Sequence, residues 1–292
     1  MVQQATVTYL HHSGFLVAVQ DTLLVFDYWR GEGNSLPEKA RITQADFVPF
    51  KRVFVFVSHS HPDHFDEEIY TWDMEKYNIT YIVSDDIPVG KRGKRMAPGD
   101  TLTFDNMTVT AYLSTDKGVA FYIDFDGLRI FHAGDLNLWH WRDESTLREV
   151  AEAEKAFYDA CKPLEKTPID LCMFPLDPRL GGMFDAGINH FIMSVKPRLV
   201  IPMHWQGRPE VALEYVRRGR TKYTEVLALT KPRERADLTF GEMELRIHVH
   251  TPAAGLYDDE AEEKKKANED PFSADDPFSD TDLPVDMKNS GK

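Results

Sequence analysis

The chain has 292 residues, with 34 Lys and Arg against 48 Asp and Glu, for a formal charge of −14. That balance argues against a nucleic-acid partner, because non-specific binders neutralise phosphates with cationic side chains. Apolar residues make up 42% of the chain, enough for a sizeable core, and no run approaches the roughly 18–20 apolar residues of a membrane span.

The opening Met1-Val2-Gln3-Gln4 has neither the cationic nor the apolar stretch of a signal peptide, so a cytoplasmic protein is expected. Thr6–Leu10, Phe15–Val19 and Leu23–Asp27 are short apolar or alternating runs parted by Ser13-Gly14 and Gln20-Asp21, the pattern of a meander. Val53–Val57 is apolar at every position and reads as an interior strand covered on both faces. Tyr81–Val83, Thr101–Phe104, Met107–Tyr112, Val119–Phe125 and Leu128–Phe131 continue the strand pattern, with Asp126-Gly127 as a hairpin turn. Ser145 to Cys161 then reads as a helix, with Leu147, Val150, Ala151, Phe157 and Cys161 near one face. Strands are expected at Leu171–Phe174 and Leu199–Pro202, and helices around Asp185–Val195 and Pro209–Arg217. Cys161 and Cys172 form no metal-type pair and are expected as reduced thiols.

Residues 1–257 are therefore read as one folded domain. Residues 258–292 hold twelve acids and five lysines, half of the net charge. With Pro271, Pro277 and Pro284 and few large apolar side chains, this segment cannot offset its ordering entropy, and a disordered tail is expected.

The chemistry concentrates in Ser58-His59-Ser60-His61-Pro62-Asp63-His64, directly after the interior strand. Imidazoles and a carboxylate crowded at a strand end are costly unless they hold a cation. From an extended segment His59 and His61 can face one ion, while Asp63 and His64, past the bend at Pro62, can face a second ion or the other side of the first.

This run resembles the signature motif of the metallo-β-lactamase superfamily, and further motifs follow in the expected order. Asp27 resembles the acid that orients the metal loop, Ala133-Gly134-Asp135 the motif whose aspartate bridges two ions, and Pro202-Met203-His204-Trp205 the motif whose histidine completes the second site. The resemblance implies an α+β fold, a four-layer αββα sandwich, with metal ligands His59, His61, Asp63, His64, Asp135 and His204. One part of the pattern is missing: the loop Leu113–Gly118 lacks the usual third histidine of the first site. Either the first site is weak or empty, or Asp116, a hydroxyl of Ser114 or Thr115, or a histidine from elsewhere, His12 or His140, stands in. His12, in Tyr9-Leu10-His11-His12-Ser13-Gly14-Phe15, is similar to the N-terminal turn of the ascorbate-6-phosphate lactonase-like branch, although Asp27-Tyr28 departs from that branch's more frequent Asp-Pro.

A divalent ion lowers the pKa of bound water from about 15.7 toward about 7, which makes hydroxide available at neutral pH. The reading is a metal-dependent hydrolase in which metal-bound hydroxide attacks a small ester, lactone or phosphoester. Asp63, Asp135, His12 and His140 are its candidate catalytic residues, with Trp205 beside the substrate. One or two Zn²⁺ are expected, and mixed nitrogen and oxygen donors equally suit Mn²⁺ and Fe²⁺. The substrate is a small molecule, phosphorylated or anionic if the basic run Lys91, Arg92, Lys94 and Arg95 steers it; the sequence assigns no oligomeric state. A phosphodiesterase or nuclease is the alternative enzyme, and a metal-stabilised scaffold with a partner-binding tail the alternative outside catalysis. His132 and His190 are expected packed and hydrogen-bonded, and His248 and His250 on an exposed edge strand.

Overall fold

The computed structural model describes residues 2–252, apart from 89, 142–143, 219–221 and 243; the acidic segment 258–292 lies outside the described residues. Among the described residues, fifteen strands form two mixed sheets. The first has the order β15 (Leu245–His250), β14 (Arg235–Phe240), β1 (Gln3–His11), β2 (Gly14–Val19), β3 (Thr22–Phe26), β4 (Arg52–Val57), β5 (Ile79–Ser84) and β6 (Lys94–Met96). The second has the order β13 (Glu225–Val226), β12 (Leu199–Met203), β11 (Leu171–Pro175), β10 (Leu128–His132), β9 (Val119–Phe125), β8 (Met107–Leu113) and β7 (Thr101–Phe104).

The alternation of β4 explains the layering. Phe54 and Phe56 point toward the second sheet, where Phe54 meets Phe104 at 4.8 Å and Phe56 meets Phe121 at 5.3 Å between ring centres. Val53, Val55 and Val57 alternate with them and are also buried, on the outer face. That face is covered by 3₁₀ turns rather than α-helices: the Tyr81 hydroxyl on β5 donates to the carbonyl of Ile69 in the turn Glu67–Thr71, and Trp72 packs on Tyr28 and Phe47. Helix α2 (Ala186–Val195) covers the second sheet through Phe191, which stacks on Phe131 of β10 and touches Phe174 of β11. The result is the four-layer sandwich, with one outer layer built from short turns.

Helix α1 (Leu147–Cys161) begins at a capping box in which Thr146 and Glu149 satisfy each other's backbone N–H groups. Its buried residues are Phe157, Ala160 and Cys161, whereas Leu147 is 90% exposed. The apolar stripe therefore engages the core only through the C-terminal half of the helix. Cys161 and Cys172 are free and buried, and burial pushes the Cys161 thiol up to about 12, so neither is a reactive group. His132 stacks on Phe26 and its Nε2 donates to the Ser13 carbonyl; His190 packs beside Phe157 and Tyr158. His250 lies on the edge strand β15, paired with Asp237.

Both sheets carry a parallel core, β3-β4-β5-β6 in the first and β10-β11-β12-β13 in the second. Loops after parallel strands open at one end of a sheet, where ligands gather in such folds. Asp27 follows β3, Ser58–His64 follow β4, Asp135 follows β10, Asp177 follows β11 and His204 follows β12.

The loop after β8 comes close to this end, and Gly118 shows how tightly. Its φ is +67°, and a Cβ there would overlap the Ser58 carbonyl oxygen and lie 2.6 Å from the Cβ of His59. Gly118→Ala is therefore expected to cost about 3 kcal/mol or more, roughly 6–12 °C in Tm for a chain of this size. A thermal melt that leaves Tm within about 2 °C of the parent would overturn that packing argument.

Candidate metal centre

Asp27 organises the loop after β4. Its carboxylate accepts hydrogen bonds from Ser58 N at 2.7 Å, Ser58 Oγ at 2.6 Å and His64 Nδ1 at 2.7 Å. The bond to Nδ1 fixes the His64 tautomer and turns Nε2 into the cleft. Asp177 does the same for His204, accepting from its Nδ1 at 3.0 Å. The turns that present His12 and His204 are joined by a hydrogen bond from His204 N to the His12 carbonyl at 3.2 Å. His12, Asp27 and His204 all hold positive φ, at 54°, 39° and 61°. Such left-handed backbone in non-glycine residues costs of order 1 kcal/mol or more apiece and gathers at functional sites.

Two groups of four donors result, His59, His61, Asp116 and Asp135 in one and His12, Asp63, His64 and His204 in the other, with the donor atoms of each within 4.8 Å of one another. Asp135 stands between them. Its Oδ2 is 3.4 Å from His59 Nε2, and its Oδ1 is 3.1 Å from His64 Nε2 and 3.4 Å from His204 Nε2. Nε2 of His12, His64 and His204 and Oδ1 of Asp135 are all buried without a hydrogen-bond partner, despite these short separations. A buried polar atom left unpaired costs about 1–3 kcal/mol, so four converging on one point form a donor set that fits a divalent cation.

The charges fit the same cation. Burial pushes the His12 imidazole down to about 3, reinforced by the neighbouring His204, so its ring is neutral with a free lone pair. Burial also disfavours charge on His64, but the carboxylates of Asp135 and Asp27 outweigh it and hold that group well above the usual histidine range, so a divalent ion bound there takes the place of the Nε2 proton in the same negative surroundings. Burial likewise opposes charge on Asp177; hydrogen bonds from His204 and Arg179 prevail and hold its carboxyl at about 2.

All six sequence-predicted ligands come together in this cluster. His12 joins it too, in the group of His64 and His204, while Asp116 occupies the first group, where the third histidine was missing. The loop of Asp116 is tied to that of Asp135 by Thr115, whose hydroxyl donates to Asn137 O at 2.5 Å and accepts from Asn137 N at 2.9 Å. His140 is not brought in. Its ring is buried with Nε2 3.3 Å from Glu154 on α1, while its neighbours Trp139 and Trp141 line the cleft. Trp205 turns into the core against Tyr9, 5.5 Å between ring centres. The basic run is engaged elsewhere: Lys91 pairs with Glu67, and Arg95 donates to the carbonyls of Asp85 and Ile87. Asp177 and Arg179 went unrecognised in the sequence, since Asp177-Pro178-Arg179 carries no ligand spacing.

A family model described as the beta-lactamase superfamily domain matches residues 6–152, half of the chain. The chain belongs to the metallo-β-lactamase superfamily. Within the superfamily it is similar to a UPF0173 metal-dependent hydrolase of Natranaerobius thermophilus, 27% identical over 186 residues that cover 58% of this chain and 71% of that protein. A protein of the same description from Thermococcus onnurineus is 23% identical over 225 residues, 71% of this chain and 88% of that protein. Among solved structures, Igni18, a metallo hydrolase of Ignicoccus hospitalis, matches with a TM-score of 0.57 at 20% identity, over 82% of this chain and 99% of that chain. These superfamily likenesses place the fold; the donor geometry above comes from this chain alone. No helix among the described residues is long and apolar enough to cross a membrane.

Proposed function

We propose that this metal-dependent hydrolase acts on a small ester, lactone or phosphoester and works with two Zn²⁺. The supporting observation is the pair of four-donor groups with the Asp135 carboxylate between them, the second group holding the unpaired Nε2 atoms of His12, His64 and His204. In this reading His59, His61, Asp116 and Asp135 hold one ion, and His12, Asp63, His64 and His204 the other. When bound, the ions supply a water acidified toward neutral pKa and a Lewis acid for the substrate oxygen.

The chain's own residues do the rest. Asp27 and Asp177 keep Nδ1 of His64 and His204 protonated, so that each Nε2 presents a lone pair. Asp63, about a third exposed (32%), borders the cleft and takes up the proton that the attacking water gives away. Trp139, held by a hydrogen bond from its Nε1 to the Asp135 carbonyl at 2.9 Å, forms a wall that limits access of bulk water. The buried, reduced cysteines suit a cytoplasmic setting.

The test is removal and return of the metal. Chelated protein should hydrolyse neither a γ-lactone, a 4-nitrophenyl ester nor bis(4-nitrophenyl) phosphate, and Zn²⁺ or Mn²⁺ should restore at least one of these reactions. Protein that takes up no ion, or gains no hydrolysis from one, would sink the reading.

A further inference from the structure

The metal cluster opens into a cavity of about 320 Å³ whose wall includes Thr115, Asp116, Trp139, Trp141 and Arg179. Among the described lining residues Arg179 is the single permanently cationic side chain, and half of it is exposed. It is also fixed in place. Its Nε lies 2.9 and 3.0 Å from the two oxygens of Asp177, its Nη2 is 2.5 Å from Asp177 Oδ2, and its own backbone N–H donates to Asp177 Oδ1 at 2.9 Å. The guanidinium sits 5.7 Å from the ring centre of Trp141, which in turn stacks on Trp139 at 6.2 Å and 10°.

A guanidinium has two edges able to grip an oxygen pair. Asp177 takes the edge formed by Nε and Nη2, which among the described residues leaves the edge formed by Nη1 and Nη2 without a second carboxylate. An arginine oriented beforehand on an indole loses little freedom when it binds, and its fork matches planar or tetrahedral oxyanions. Resting on the hydrolase reading, we propose that the free edge of Arg179 is an anion subsite beside the metal centre, and that the substrate carries a carboxylate or phosphate group a short reach from the bond that is cut. Trp139 and Trp141 then flank the part of the substrate between the anion and the reacting centre.

Tryptophan fluorescence of the zinc-loaded protein reads this directly, with 4-methoxybenzoate, inorganic phosphate and the neutral 4-methoxybenzamide as probes. One or both anions should bind more tightly than the amide, and which of them does separates a carboxylate-bearing from a phosphate-bearing substrate. Arg179→Gln should weaken the preferred anion by about 10-fold and leave both the amide and the zinc content unchanged, while Arg179→Lys recovers part of the loss. Equal binding of anions and amide, or an Arg179→Gln protein that binds anions as the parent does, overturns the subsite. Loss of zinc in Arg179→Gln also overturns it, because Arg179 would then serve only to hold Asp177 and His204. If the parent takes up no zinc, the hydrolase reading fails separately, and the same probe series on the metal-free protein still decides the subsite.

Discussion

An Asp135→Ala chain will fold but hold neither ion at stoichiometric level, and its hydrolysis will fall by about 10³-fold or more. The Asp135 carboxylate faces both donor groups: one oxygen faces His59 and the other faces His64 and His204. Its removal leaves imidazoles crowded around each position with too little negative charge to hold a divalent ion. His64 also loses the largest support for its raised pKa, leaving only Asp27 to oppose burial. Asp135→Asn, which keeps shape and volume, separates charge from packing, and it is expected to lose metal as completely as the alanine variant. Metal per chain by atomic emission, with circular dichroism as the check on folding, decides the matter. Two ions retained by either folded variant would show that the two donor groups do not depend on a shared carboxylate.

The parts of this site that were legible in the sequence are contiguous in it or end an apolar run. His59, His61, Asp63 and His64 lie within one six-residue stretch after β4, and Asp135 and His204 each follow a short buried strand; patterning puts each at a strand end, and the resemblance to the superfamily's ordered motifs gathers them into one site. Asp177 was illegible because its role depends on register. The parallel pairing of Pro175 with Met203 lays the residues after β11 beside those after β12, and only then does Asp177 meet His204. Asp116 was legible only as one of several candidates for the missing third histidine; what sets it apart is Thr115, which ties its turn to the loop of Asp135.

The fold shows a similar division. The interior strand β4 announced itself by five consecutive apolar residues, but β6 has only one apolar side chain, Met96, and exists through its pairing with β5. Strand β14 does carry the period of two, burying Ala236, Leu238 and Phe240 between exposed or half-exposed neighbours, but charged Arg235 and Asp237 hold two of its three alternate positions and make the run read as a polar loop. In α1 the expected apolar face is real only from Phe157 onward. Sequence spacing gives the stripe, but not where along the helix the sheet runs out.

The two donor groups are not equivalent, and they are not expected to hold their ions equally. His12, Asp63, His64 and His204 offer three imidazoles, all buried, and two of these are pinned from behind by Asp27 and Asp177. His59, His61, Asp116 and Asp135 offer two imidazoles and two carboxylates, and the side chains of His61 and Asp116 are 34% and 38% exposed. Softer nitrogen donors held rigidly favour Zn²⁺, whereas part-exposed ligands that pair only with other ligands of their group must be reordered as the ion binds. Zinc is therefore expected to load in two steps, the first into the group containing His12 and the second at least about 10-fold more weakly. Asp116→Ala should abolish the weaker step and leave one tightly held ion, and His12→Ala should weaken the tighter step by about 10–100-fold. Competition with a chromophoric chelator resolves both steps in each protein. Two equal affinities in the parent, or an Asp116→Ala chain that loses its tight ion and keeps the weak one, would reverse the assignment of strength to the two groups.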